Sequence, residues 1–121
     1  MLVNVINLQR VMQEFRNLDR EMQAQTILAF LYIAERDLSG VTTTIQDVGI
    51  YLDLTSASAT RNVQALGEWH RYKRPGHGLV VTVENPQRRN EKFIKLSDKG
   101  QRFINKIGGI LHANQSAREQ I

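Results

Sequence analysis

Small polar side chains and one arginine follow one another between positions 55 and 66, in a pattern that could contact a nucleic acid. The candidate residues are Thr55, Ser56, Ser58, Thr60, Arg61 and Gln64. Hydroxyl groups can bond to phosphates or base edges, and an arginine can bond to a guanine edge. If the segment is a helix, its small side chains let it approach the bases in a major groove about 12 Å wide, and its first turn attracts phosphate. An ordinary capped surface helix would have a similar composition.

A second group of candidates lies between positions 85 and 92, where the basic residues are Arg88, Arg89 and Lys92. The polar segment 85–90 predicts a hairpin tip that is longer than a two-residue turn. Arginines on a narrow projection suit the minor groove of A·T-rich DNA, where the negative potential is concentrated. Charged residues on edge strands also prevent aggregation, so the cluster fits both interpretations.

The charges are distributed unevenly along the chain. The formal net charge of +4 combines −3 over residues 1–60 with +7 over residues 61–121. A basic half beside an acidic half favours one face that binds a polyanion, although a solvated lysine-rich surface would give the same totals. Together with the two groups of candidates, this distribution predicts double-stranded DNA as the partner.

Other kinds of chemistry find little support in the sequence. There is no cysteine, which excludes disulfides and thiolate metal sites. His70, His77 and His112 match no metal-binding spacing, and no nucleophile elbow, paired carboxylates or phosphate-binding glycine loop is present. We expect no metal, no cofactor and no enzymatic activity. No apolar run reaches the roughly 18 residues of a membrane span, and the N-terminus does not resemble a signal peptide, so we expect a cytoplasmic protein.

The elements that would position these candidates follow from apolar spacing and capping residues. The 121 residues predict one domain. Helices are predicted over residues 3–19 and 22–36 and after caps at Thr44, Thr55 and Ser97. The second helix is apolar almost all round, which predicts that it is the central buried helix. Gly108 and Gly109 weaken the last helix, which could kink or end there, and the tail from His112 should fray.

The segment after the fourth helix changes in character. Residues 73–78 are predicted to form a loop, and β-branched and aromatic residues predict strands over 79–83 and 93–96. Two short helices joined by a tight turn (residues 44–66) and followed by a two-stranded hairpin (79–96) make the pattern of a winged helix-turn-helix. The predicted fold class is therefore α+β and mostly helical, with a two-stranded wing and with flanking helices at both ends.

Four short motifs follow one another along the chain, at residues 54–66 (LTSASATRNVQAL), 78–80 (GLV), 85–89 (NPQRR) and 96–100 (LSDKG). In the same order, they resemble the recognition helix, the entry into the first wing strand, the acidic-Pro wing motif and the Leu-Thr-x-Lys-Gly turn of the MarR family of transcriptional regulators. The resemblance runs from about residue 25 to residue 107.

The resemblance implies a homodimer, joined by its terminal helices (residues 1–20 and 98–121). Such a dimer would bind a roughly palindromic DNA site as a repressor-like regulator of transcription, in the nucleoid of a bacterial or phage-infected cell. The apolar residues that fit the dimer contact are Val5, Leu8, Met12, Phe15, Phe103, Ile107, Ile110 and Leu111. The same two stripes could instead cover the core of one chain. The insert at 69–75 also resembles small MarR-like proteins found in phages.

Two positions depart from the family's wing. Arg88 and Asn90 stand where the family has Asp and Arg. The cation closest to the position of the family's arginine is therefore Arg89, which lies between the two. A winged helix can also dock a host or partner protein, such as a polymerase or nuclease subunit, because the fold serves both purposes. A DNA binder needs Arg61, Arg88 and Arg89, and its affinity falls steeply with salt. A docking module would tolerate the loss of Arg88 and Arg89.

Overall fold

Helices and short strands follow one another along the chain in an order close to the predicted one. The computed structural model describes residues 1–70 and 74–119, and of residues 69, 70, 74, 89 and 113–119 it describes the backbone alone. Within that part of the chain, the helices are α1 (Leu2–Leu18), α2 (Ala24–Leu38), α3 (Ile45–Leu52), α4 (Ser56–Leu66) and α5 (Asp98–Glu119). The strands are β1 (Trp69–His70), β2 (Arg74–Pro75), β3 (Val80–Asn85) and β4 (Arg88–Leu96).

The core lies between α1, α2 and α5 and continues under the strands β3 and β4. Phe15, Phe30 and Phe103 pack edge to face, with ring centroids 5.1 to 6.0 Å apart. Phe30 and Ile33 of α2 are fully buried, which confirms α2 as the central helix. The predicted α+β, mostly helical winged helix-turn-helix fold is also confirmed.

The wing is the antiparallel pair of strands β3 and β4, in which Val80 lies opposite Leu96. Thr44, the residue just before α3, forms an isolated bridge with Phe93 on the other edge of β4. β4 therefore lies between β3 and the start of the helix-turn-helix. This arrangement fixes the wing beside α3.

The prediction of a long hairpin tip over residues 85–90 is wrong. Asn85 lies opposite Arg88, so the turn contains only two residues, Pro86 and Gln87. The Asn85 Oδ1 atom accepts a hydrogen bond from the amide of Gln87 (3.0 Å), and this Asx turn closes the hairpin early. The register shifts just before Asn85, which leaves the next residues of β4 as a bulge.

Other boundaries also differ from the predicted ones. Residues 74–75, predicted as part of a loop, pair with β1 as the strand β2. The amide of Gly76 donates to the carbonyl oxygen of Glu68 (2.9 Å), and this bond turns the chain back beside β1. α2 begins at Ala24 rather than at residue 22, because Gln23 has an extended backbone (φ −72°, ψ 148°).

α5 continues through Gly108 and Gly109, where the sequence suggests a kink or an end. Ile107 and Ile110, on either side of the glycines, are buried against the core, and this packing outweighs the weak helix propensity of glycine. The segment after His112, predicted to fray, continues the same helix. Among the described residues, no helix combines the length and the apolar character needed to cross a membrane.

Candidate nucleic-acid interface

α3 and α4 both begin at the predicted threonine caps. Thr44 Oγ1 accepts a hydrogen bond from the amide of Asp47 (3.1 Å), and Asp47 Oδ2 accepts one from the amide of Thr44 (3.0 Å). The capping box is therefore complete, although Asp is shorter than the usual Glu or Gln. Thr55 Oγ1 accepts a hydrogen bond from the amide of Ser58 (3.1 Å). Each cap satisfies an amide that would otherwise have no partner in the first turn.

The tight turn between α3 and α4 depends on Asp53. This residue has a left-handed backbone (φ 54°, ψ 50°), which Asp adopts more readily than most residues with a side chain. The amide of Leu54 donates to the carbonyl oxygen of Gly49 (2.9 Å) and that of Asp53 to Ile50 (3.3 Å), so α3 ends in a Schellman motif. A β-carbon at Gly49 would lie 3.3 Å from the β-carbon of Ala59. The turn thus holds α4 close against α3.

A buried polar contact, which the sequence pattern does not predict, anchors α4 to α2. Thr26 Oγ1 donates to Asn62 Oδ1 (2.7 Å), and Asn62 Nδ2 donates to the carbonyl oxygen of Ser58 (2.9 Å). Asn62 lies among the inward residues of α4, next to the buried Ala59 and Val63. The sequence signal that could have revealed this contact is an asparagine within the apolar stripe of α4, because a buried side-chain amide needs a hydrogen-bond partner.

The outward side of α4 carries the predicted contact residues. Four of them are exposed, namely Thr55, Ser56, Arg61 and Gln64, and two are half-buried, namely Ser58 and Thr60. The Thr60 hydroxyl donates to the carbonyl oxygen of Ser56 (2.8 Å). Ser58 and Arg61 line a cleft whose other wall includes Asp19, from the connection between α1 and α2. The fold therefore brings Ser58 and Arg61 together at this cleft, whereas Ser56 lines a separate cleft between α3 and α4.

The cations of the wing lie beside the start of α3. Arg88 and Lys92 are exposed, and with Thr44 and Gln46 they line a cavity of about 640 Å³ between β4 and α3. Gln46 is not among the residues predicted from the sequence. The backbone of Arg89 belongs to β4, and its side chain lies outside the described part of the chain. A phosphate backbone in this cavity would meet these two cations, together with the carboxylate of Glu91, which accepts a hydrogen bond from Asn85.

Solved structures share this arrangement of helices and wing. No protein-family model matches the chain, and no curated protein matches its sequence. A MarR-like transcriptional regulator from Thermotoga maritima has a TM-score of 0.63 at 21% identity, over 84% of this chain and 64% of that one. Staphylococcus aureus MepR in complex with DNA has a TM-score of 0.72 at 13% identity, over 98% of this chain and 86% of that one. This chain has the fold of MarR-like regulators.

Within the MarR-like fold, the LSDKG motif joins the wing to α5. Ser97 Oγ donates to the carbonyl oxygen of Gly78 (2.5 Å) and accepts a hydrogen bond from the amide of Gly100 (3.0 Å). A β-carbon at Gly100 would overlap the carbonyl oxygen of Leu79. The motif therefore combines a helix cap with a close approach of two backbone segments.

The tip of the MarR-like wing is held by Asn85. Its Nδ2 atom donates to Glu91 Oε2 (3.2 Å) across the bulge, while its Oδ1 atom holds the turn at Gln87. In the wing that the MarR resemblance implies, Asp and Arg occupy the positions of Arg88 and Asn90. The side chain of Asn85, which belongs to β3 and is at neither of those two positions, therefore holds this wing tip in its conformation.

The eight residues that the MarR resemblance assigns to the dimer contact fall into two groups. Four pack within this chain, namely Phe15, Phe103, Ile107 and Ile110. Four are exposed, namely Val5, Leu8, Met12 and Leu111. Leu8 and Leu111 line a cavity of about 660 Å³ between α1 and α5, which Leu31 of α2 also borders. Each predicted stripe therefore contains core residues together with an exposed apolar edge.

Proposed function

We propose that this protein binds double-stranded DNA in a sequence-specific manner, as a dimeric and repressor-like regulator of transcription. The observation that carries the proposal is the exposed face of α4. Arg61 and Gln64 project from a helix whose opposite face is anchored by the buried bond of Asn62 to α2. Arginine and glutamine are the side chains that pair with guanine and adenine edges in the major groove. A firmly held helix keeps both side chains in one register.

The wing supports the same partner. Arg88 and Lys92 are exposed beside the first turn of α3, where a DNA backbone that passes α4 would also run. Neutralised phosphates release counterions, so these contacts contribute affinity that decreases with salt concentration. Arg89 is the residue that we assign to the minor groove, because it stands between the two positions at which the family's wing has Asp and Arg.

The comparison with MepR also supports a DNA partner. MepR was solved as a complex with DNA, and its match includes 98% of this chain, with the helix-turn-helix and the wing. The charge distribution agrees with this partner, since the half of the chain that begins at Arg61 has a net charge of +7.

The exposed apolar edge of α1 supports the dimer. Val5, Leu8 and Met12 are spaced along one side of α1, and Leu111 of α5 is exposed as well. A second copy of the chain would bury this surface, and the contact would have two-fold symmetry. Two symmetric α4 helices would read a roughly palindromic site with half-sites about one helical turn, or a multiple of it, apart. Such a dimer would repress transcription by covering a promoter.

Selection from random duplex DNA with the purified protein tests this function. We expect a roughly palindromic consensus, and mobility shifts with that duplex should show an affinity that falls steeply with salt. Arg61→Ala should cost about 1–3 kcal/mol of specific binding, if Arg61 contacts a base. Arg10→Ala, at an exposed position of α1, is the matched control and should bind like the wild type. A selection that enriches no sequence would contradict the proposed function.

A further inference from the structure

The hydroxyl group of Thr60 is already used within α4. Thr60 Oγ1 donates a 2.8 Å hydrogen bond to the carbonyl oxygen of Ser56, one turn earlier. This bond directs the hydroxyl hydrogen along the helix, so Thr60 has no donor left for a base. The side chain can offer a partner only its γ-methyl group and an oxygen lone pair.

Ala57 places a second methyl group on the same side of the helix. Ala57 is exposed and precedes Thr60 by three positions, which makes the two side chains neighbours on the helix surface. Three residues advance an α-helix by about 4.5 Å. Successive bases of one DNA strand are about 3.4 Å apart along the helix axis. Two methyl groups at this spacing can therefore lie against adjacent base pairs.

Thymine is the base that this pair of methyl groups fits. It carries a C5-methyl group in the major groove, and the methyl groups of Ala and Thr are typical contacts for it. Adenine and cytosine present amino groups there, and guanine presents only acceptors, which need a donor from the protein. Arg61, which is exposed next to Thr60, supplies such a donor.

We infer that Ala57 and Thr60 read thymine in the DNA target through its C5-methyl group, beside a guanine that Arg61 contacts. Each half-site then contains one or two thymines next to that guanine. The inference rests on the proposed function and deepens it, because it names bases that the protein distinguishes and the side chains that distinguish them.

Uracil tests this inference, because it differs from thymine only by the missing methyl group. The full-length protein is titrated against the selected duplex and against duplexes in which each thymine in turn is replaced by uracil. Burial of one methyl group corresponds to about a three- to fivefold change in affinity. Uracil at one or two positions of each half-site should weaken binding by that factor. Uracil outside the selected site is the control and should change nothing.

Two substitutions separate the methyl group of Thr60 from its hydroxyl group. Thr60→Ser keeps the hydroxyl and its bond to Ser56 but removes the methyl group, so the uracil penalty should disappear at one thymine. Thr60→Val keeps a methyl group in place and removes the hydroxyl, so the penalty should persist. Ala57→Gly should abolish the penalty at the neighbouring thymine. Circular dichroism establishes that each variant is folded before its affinity is compared.

Two results would overturn the inference while the proposed function stands. In the first, the protein prefers a defined sequence, but no thymine in it is sensitive to uracil. In the second, Thr60→Ser retains the penalty that Thr60→Val loses, which would assign the contact to the hydroxyl group. A protein without any preference over random duplex DNA would contradict the proposed function itself, and the inference with it.

Discussion

Thr26 and Asn62 form a buried hydrogen bond, 2.7 Å from Oγ1 to Oδ1, between the central helix α2 and the exposed helix α4. Both residues are at most 7% exposed. Asn62 also donates to the carbonyl oxygen of Ser58, so both ends of its amide group have a partner. Because a satisfied buried network favours one geometry, we expect this contact to hold α4 in one rotation and, with it, to keep Arg61 on the exposed face.

Removal of one partner should destabilise the protein. Asn62→Ala leaves the Thr26 hydroxyl without its acceptor in a buried place, which costs about 1–3 kcal/mol. Urea denaturation should show this loss as a lower midpoint. Arg102→Ala, at an exposed position of α5, is the control and should change the free energy of unfolding by less than about 0.5 kcal/mol. Equal effects of the two substitutions would argue against the anchor.

The combination of Thr26→Val with Asn62→Leu separates positioning from stability. An apolar pair of similar shape can replace a hydrogen-bonded pair at little cost in stability. It no longer specifies one rotation of α4, however, so the affinity for the selected DNA should fall while the free energy of unfolding largely recovers. Mobility shifts and urea denaturation measure the two quantities on the same protein. Recovery of both would mean that the bond does not orient α4.

The helix-turn-helix is the part of the fold that local sequence signals predict best. The caps at Thr44 and Thr55 and the left-handed Asp53 each act on backbone groups within a few residues. Such short-range interactions depend mainly on residue type and spacing, so the pattern of the sequence contains them. The exposed residues of α4 follow from the same helical period, once its inward stripe is known.

Most of the features that the sequence did not predict join distant positions or depend on what covers a surface. Thr26 and Asn62 are 36 residues apart, and no local pattern pairs them. An apolar stripe predicts that a surface is buried but not what buries it. Phe15 packs on Phe30 in the same chain, whereas Leu8 on the same helix is exposed. The short wing turn is a local exception, because the Asn85 side chain accepts a hydrogen bond from the amide two residues later and closes the hairpin there.

Replacement of Arg88 and Arg89 by alanine should flatten the salt dependence of DNA binding. Each lost cation leaves about one more phosphate charge unneutralised, whether the side chain lies in the minor groove or on the backbone, and lowers the slope of log Kobs against log salt concentration by about 0.9, so two should lower it by about 2. Titrations at several salt concentrations measure this slope. Arg10→Ala combined with Arg102→Ala removes the same charge from exposed positions of α1 and α5 and should leave the slope unchanged. A wing variant with the wild-type slope would mean that the wing does not contact DNA.

Leu8→Lys should convert the proposed dimer into a monomer. Leu8 is 61% exposed in the single chain, so a lysine there costs little in folding, but its burial in a dimer contact is unfavourable. Sedimentation velocity at tens of micromolar should show a dimer for the wild type and a monomer for the variant. Leu38→Lys, at a residue 60% exposed at the end of α2, is the matched control and should stay dimeric. A monomeric wild type would refute the dimer.

A side chain at Gly100 should disrupt the junction between the wing and α5. In Gly100→Ala, the new β-carbon would overlap the carbonyl oxygen of Leu79, so the backbone has to shift. Overpacking of this kind costs about 1–3 kcal/mol. Gly108→Ala lies in the same helix, where a β-carbon meets nothing within 4 Å, and should stabilise the protein by about 0.8–1.0 kcal/mol. Urea denaturation should therefore shift the two midpoints in opposite directions, because one substitution strains backbone packing and the other only improves helix propensity. A shift of both midpoints in the same direction would contradict the close contact of Gly100 with Leu79.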